Sequence, residues 1–123
     1  MTKPARIFKT AWFAKAARKA HISDAALCQA IRQAMLGQAV DMGGGVFKKR
    51  LNQNRHRGIF LAKTSHYWVL EYLFAKQNKA NITPNELLFF RKLAGSYAAL
   101  TNEQLQQLLV NGNWMELDNE SAV

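Results

Sequence analysis

Tyr67–Lys76 (YWVLEYLFAK) is almost entirely apolar, broken only by Glu71 before its closing lysine. A segment this rich in aromatic and β-branched residues has no polar side to turn to water. It is read as a central strand covered on both faces. Two shorter runs precede it. In Val46–Leu51 the alternation puts Val46, Lys48 and Arg50 on one face and Phe47, Lys49 and Leu51 on the other. In Arg57–Lys63, Arg57, Ile59, Leu61 and Lys63 alternate with Gly58, Phe60 and Ala62. Asn52–His56 is a polar loop of hairpin length, and Thr64–His66 is a turn. The three runs predict an antiparallel meander. Gly43-Gly44-Gly45 reads as the turn that starts it, because the pattern of a phosphate-binding loop is missing.

Helical signals flank the meander. Arg6–Lys9 is short and mixed, as in an edge strand. Trp12, Phe13, Ala16, Ala17 and Ala20 then recur at helical spacing, opposite Lys15, Arg18 and Lys19. Ser23 caps a second helix whose stripe is Leu27, Ala30, Ile31, Ala34 and Met35, so the two form an αα-hairpin. After the meander, Thr83-Pro84-Asn85-Glu86 is a capping box with proline at the first helical position, and Thr101–Gln104 repeats the pattern. Trp114–Leu117 docks back, and residues 118–123 fray. The layout is α+β, with helices on one side of a small antiparallel sheet, an N-terminal αα-hairpin and additional C-terminal helices. At 123 residues it is read as one domain, 1–123. No run approaches the ~18–20 apolar residues that span a bilayer. The single cysteine, Cys28, excludes an internal disulfide framework and a multi-cysteine zinc site, which suits a reducing cytoplasm. Beside a helical stripe, it reads as a buried, inert thiol.

Charge separates the halves. Residues 1–66 hold thirteen of the seventeen Lys and Arg against two acids, whereas residues 67–123 have a net charge of −2. The cations culminate in Lys48, Lys49, Arg50, Arg55, Arg57 and Lys63. A sheet face with that many cations and no acidic partner expects a polyanion. The pattern also fits a charged sheet edge that discourages strand-to-strand aggregation. Arg50 and Arg57 suit a phosphate, since a guanidinium offers two donors at once. A lysine crowded by cations gives up its proton more readily, which makes Lys48 or Lys76 a proton-transfer candidate; His56, beside Arg57, is a rival. Phe74 is either a core residue or a platform for a base. His21 and His66 are structural or exposed, the three histidines are too scattered for a metal site, and Asn81 shapes a turn.

The stretch Gly43-Gly44-Gly45-Val46-Phe47-Lys48-Lys49-Arg50-Leu51, with His56-Arg57, Tyr72-Leu73-Phe74-Ala75-Lys76 and Asn81-Ile82, resembles the RelE-like toxins of type II toxin–antitoxin systems. The nearest branch is the HigB-like one of the RelE/ParE superfamily. Ile7–Phe13, Ser23–Cys28 and Phe90–Ala94 fit as well, so the likeness spans most of the chain. It implies a compact RelE fold and metal-independent cleavage of mRNA, often on the ribosome, with no cofactor. It also implies a cognate antitoxin, of helix-turn-helix type, that covers the basic face. By the same resemblance Lys48, Arg50, Arg57, Phe74 and Lys76 match the groove residues of the family. Two features depart from it. Classical RelE toxins end soon after the last strand, often with a catalytic tyrosine; this chain continues for two helices and offers no equivalent tyrosine. Members of the wider superfamily inhibit gyrase instead. A gyrase inhibitor and a non-catalytic RNA- or ribosome-binding protein are therefore the alternatives.

Overall fold

In a computed structural model, which describes residues 5–64 and 66–118, the meander forms as β3 (Val46–Leu51), β4 (His56–Leu61) and β5 (Tyr67–Ala75). His56, expected in the loop, is the first residue of β4. The other strands among the described residues are β1 (Arg6–Thr10), β2 (Val40–Asp41) and β6 (Trp114–Leu117). The strand order is β2-β3-β4-β5-β1-β6.

β1 is not at an edge. It lies parallel to β5, pairing Phe8 with Val69, and antiparallel to β6, pairing Phe8 with Glu116. Its few residues alternate into two apolar layers, so Ile7 and Phe8 are both fully buried. Expected fraying at 118–123 falls, apart from Asp118, outside the described residues.

The helices also depart from expectation, because they cover both faces. Helices α1 (Ala11–Lys19) and α2 (Asp24–Met35) bury Phe13, Leu27 and Ile31 against Ile7, Phe60, Leu70 and Leu73. Helices α3 (Pro84–Ala98) and α4 (Asn102–Val110) bury Phe90, Ala94 and Leu105 against Phe8, Ile59, Leu61 and Val69. Successive strand residues point to opposite faces, and the apolar β5 needs cover on each. Thr83 and Thr101 form complete capping boxes with Glu86 and Gln104. Ser23 caps α2, and Thr10 ends β1 while accepting from the Phe13 N–H to cap α1. Cys28 is fully buried, and burial pushes its thiol above the ordinary range.

The glycine turn has a steric cause. Gly43, Gly44 and Gly45 all adopt positive φ, and a Cβ on Gly45 would sit 3.0 Å from the Lys63 Cα. The turn wraps the Arg91 side chain of α3, whose guanidinium donates to the carbonyls of Met42 and Gly43.

A register shift between Ile59 and Phe60 opposes Ile59 to Tyr72 but Phe60 to Leu70. Glu71 is the extra residue. The bulge sits just where β1 ends, since Lys9 pairs with Leu70. Beyond it, the outer flank of β5 is met by α1 rather than by a strand.

Candidate nucleic-acid interface

Strand register brings several of the expected cations together. Arg50 on β3 is directly opposite Arg57 on β4, and Arg57 is opposite Phe74 on β5. The neighbouring row is Lys48, Ile59 and Tyr72. Val46, Ile59 and Leu61 point to the α3/α4 layer, so alternation places Lys48, Arg50 and Arg57 on that same face. Lys76 follows Phe74 by two residues and is exposed; its N–H bonds the Arg55 carbonyl at 2.9 Å.

The electrostatics of this face are unusual. Directly opposed residues hold their Cβ atoms about 5 Å apart, and like charges there repel. Among the described residues, no carboxylate pairs with either arginine. Among the described residues, the ion pairs join Arg6 to Glu116, Lys9 to Asp24 and Lys79 to Glu86, all outside the row. Arg57 is only 9% exposed. Its Nη1 donates to the carbonyls of Asn54 and His56, both at 3.1 Å. Carbonyls orient a guanidinium without neutralising it, so the charge remains available to an anion. Lys48 is oriented as well. Its Nζ donates to Asn81 Oδ1 at 3.2 Å, and the same oxygen accepts the Ile82 N–H at 2.9 Å. Asn81 therefore shapes its turn and also aims Lys48.

The loop beside the arginines is strained. Asn52, Gln53 and Asn54 have φ of 52, 55 and 70°. Asparagine tolerates this left-handed region, but three such residues in succession are costly, glutamine contributing ~1–2 kcal/mol. Side chains hold the loop. Arg55 donates through its N–H to the Asn52 carbonyl at 3.1 Å and through Nη2 to Gln53 Oε1 at 2.8 Å. Asn52 Nδ2 reaches the Ala20 carbonyl at 3.3 Å and His56 Nδ1 at 3.2 Å. An amide nitrogen only donates, so His56 Nδ1 accepts and the proton of the neutral ring rests on Nε2.

Other expected site residues lie elsewhere. Phe74 is 7% exposed and packs 5.7 Å from the Tyr72 ring, so it is a core residue with no face free for a base. Lys49 and His56 project to the α1/α2 face by alternation, away from the arginine pair. Burial, with Arg50 adding to it, pushes the Lys49 ammonium below its ordinary range. Lys63 lies past the far end of β4, about 20 Å along the chain from Arg57, against Gly45 and near Gly95. Arg55 is exposed and bonds within its own loop, to Gln53.

The bulge residue Glu71 carries a half-buried acid. Its Oε1 accepts from the Tyr97 hydroxyl at 2.6 Å. Burial pushes the carboxyl up, with the tyrosine bond opposing, and the Tyr97 hydroxyl is itself pushed up by burial and by that carboxylate. The folded chain thus holds a proton on Glu71 more tightly than the unfolded chain does. The resulting stabilisation is complete below the unfolded value of 4.5 and is lost as pH rises through the folded value. Glu71→Gln keeps an acceptor for Tyr97 without the charge. Its melting temperature is expected to exceed the parent's by a few degrees at pH 7, the scale of ~1 kcal/mol, and to lose that advantage below the unfolded value. A parallel offset at all pH values would contradict this account.

Sequence reasoning placed Trp12 on a packing stripe, yet it is 53% exposed and stacked on Tyr72 with centroids 5.2 Å apart. Its position at the head of a helix that follows a strand directly was the available signal, since such a residue overhangs the sheet. Among the described residues, no group of three His, Cys, Asp or Glu is placed to hold a metal, and no helix is long and apolar enough to cross a membrane. A family model described as the RelE toxin of the RelE/RelB toxin–antitoxin system matches residues 5–117. No curated protein and no solved structure gives a significant match.

Proposed function

Because the chain belongs to the RelE toxin family of the RelE/RelB toxin–antitoxin system, we propose that it is a single-domain, metal-independent endoribonuclease of the HigB-like branch, cutting mRNA on the ribosome in the cytoplasm. The observation that carries this reading is the cross-strand pair Arg50–Arg57, in which Arg57 is oriented by two carbonyls and neither arginine has a carboxylate partner among the described residues. Two guanidinium groups so placed are complementary to a phosphate whose charge grows in the transition state.

RNA supplies its own nucleophile. The 2′-oxygen attacks the adjacent phosphorus as its proton passes to a neutral Lys76 amine or to water, the bond to the 5′-oxygen breaks, and the products are a 2′,3′-cyclic phosphate and a 5′-hydroxyl. Arg50 and Arg57 hold the non-bridging oxygens in this scheme. Lys48, aimed by Asn81, protonates the leaving oxygen. Lys76 is the other proton-transfer candidate on this face, whereas His56 lies on the opposite one. The antitoxin that the family implies, here proposed as a helix-turn-helix protein, would neutralise the same face with acidic or apolar segments.

Inducible expression followed by primer extension on a translated message tests the reading. Growth arrest with discrete cuts, resistant to chelator and ending in cyclic phosphate, is expected. Arrest without cuts would transfer the protein to the non-catalytic binding or gyrase-inhibiting class.

A further inference from the structure

Trp12 forms a ridge between two clefts of opposite character. On one side Glu71, Asn85 and Glu86 join Tyr72, Phe89 and Phe90. On the other is a cleft of about 460 Å³ lined by Trp12, Lys15, Lys19 and His56, with Leu73–Ala75 as its floor. Among the described residues, no acid lines this second cleft. The spacing 12, 15, 19 sets Trp12 and the two lysines along one side of α1, spread over about 10 Å of helix. One indole face rests on Tyr72, and with half of the residue exposed the other face is open. His56 is locked by Asn52 through Nδ1, leaving Nε2 as the donor of its neutral ring.

We infer that this cleft is a subsite for single-stranded RNA, in which a base stacks on Trp12 while Lys15 and Lys19 hold flanking phosphates. A stacking aromatic set among cations is the arrangement that grips an unpaired strand irrespective of sequence. The cleft lies around the shared end of β4 and β5 from the arginine pair. His56 and Arg57 are consecutive with side chains on opposite faces, and they oppose Ala75 and Phe74. A strand bound at Arg57 and crossing the end of β5 therefore enters the cleft. The inference rests on the ribonuclease reading for its biological meaning, but its test does not.

The purified full chain is titrated with a short single-stranded RNA oligonucleotide carrying 2′-O-methyl riboses, which cannot be cut because the nucleophile is capped. Trp68 and Trp114 are 9% and 3% exposed, so quenching of accessible tryptophan emission reports Trp12. Saturable quenching is expected. Trp12→Phe, followed by fluorescence anisotropy of a labelled oligonucleotide, retains affinity to within about threefold, and Trp12→Ala loses about tenfold. The Lys15→Ala, Lys19→Ala double variant, altered only at exposed positions, lowers the slope of log affinity against log salt by about 1.4. Equal affinity and slope in parent and variants would overturn the subsite, as would quenching by the antitoxin but not by RNA. Primer extension separates the two readings. Message cuts without Trp12-dependent binding remove the subsite alone, and Trp12-dependent binding without cuts removes the ribonuclease reading alone.

Discussion

On the proposed ribonuclease reading, Arg57→Ala is expected to lower cleavage of a translated message by about 10²–10³-fold, the scale of removing one preorganised donor from a transition state, and with it to abolish growth arrest. The size of the effect follows from three features of the site. Arg57 is nearly buried, so its charge acts in a medium that screens poorly. It is held by two carbonyls, so little reorganisation accompanies the reaction. Its opposite neighbour is another arginine, which adds to its field but cannot take over its position. Arg57→Lys separates charge from geometry. An ammonium keeps the charge but cannot grip loop and phosphate together, so activity between that of the parent and the alanine variant is expected. Loss of the carbonyl bonds destabilises the fold by ~1–3 kcal/mol, less than a typical domain's total stability. Circular dichroism should therefore show an intact fold in both variants. Full activity in Arg57→Ala would rule out the arginine pair as the phosphate clamp.

Phe8→Ala has the largest expected effect on stability, about 3–5 kcal/mol. On an edge strand a phenylalanine would have one side in solvent and the cost would be smaller. Here Phe8 is fully buried, stacks on Trp114 with centroids 5.2 Å apart and meets the edge of Tyr67. Truncation leaves a void that three strands line. Urea denaturation measures the loss directly. A cost below about 1 kcal/mol would place Phe8 outside any packed core and so contradict the interior position of β1.

What could be read from the chain divides by physical range. Helix starts are local: an N-cap side chain reaches a backbone N–H three residues on, so Ser23, Thr83 and Thr101 announced their helices. Alternation is local too: it put Lys48 with Arg50, and Arg57 with Ile59 and Leu61, but only the strand pairing brings the two sets to one face. The position of β1 is not local. Nothing within Arg6–Thr10 encodes that it lies between β5 and β6, so a short mixed segment looked like an edge. The same absence hid the second helical layer, although the apolar Tyr67–Lys76 already demanded cover on both faces. At the site, the charge pattern could not separate Arg57, pinned and unpaired, from Lys63 at the far end of its strand or Arg55 bonded within its loop. Phe74 matched a motif but is buried in the layer under α3 and α4, packed on Tyr72. The Glu71 bulge left no mark in the sequence beyond an acid in an apolar run.

The pairing of β1 with β6 has a kinetic consequence. Contacts such as Arg6 with Glu116 close a loop across a sequence separation of 110 residues, and the Phe8–Trp114 stack forms only once that loop has closed. Closure entropy precedes the reward of such contacts, and high contact order slows folding. The meander and its hairpins can assemble from neighbours in sequence, but the sheet is completed last, when the two ends of the chain meet. The arginine row lies within the early meander, whereas the layer that buries Phe8 depends on the late step.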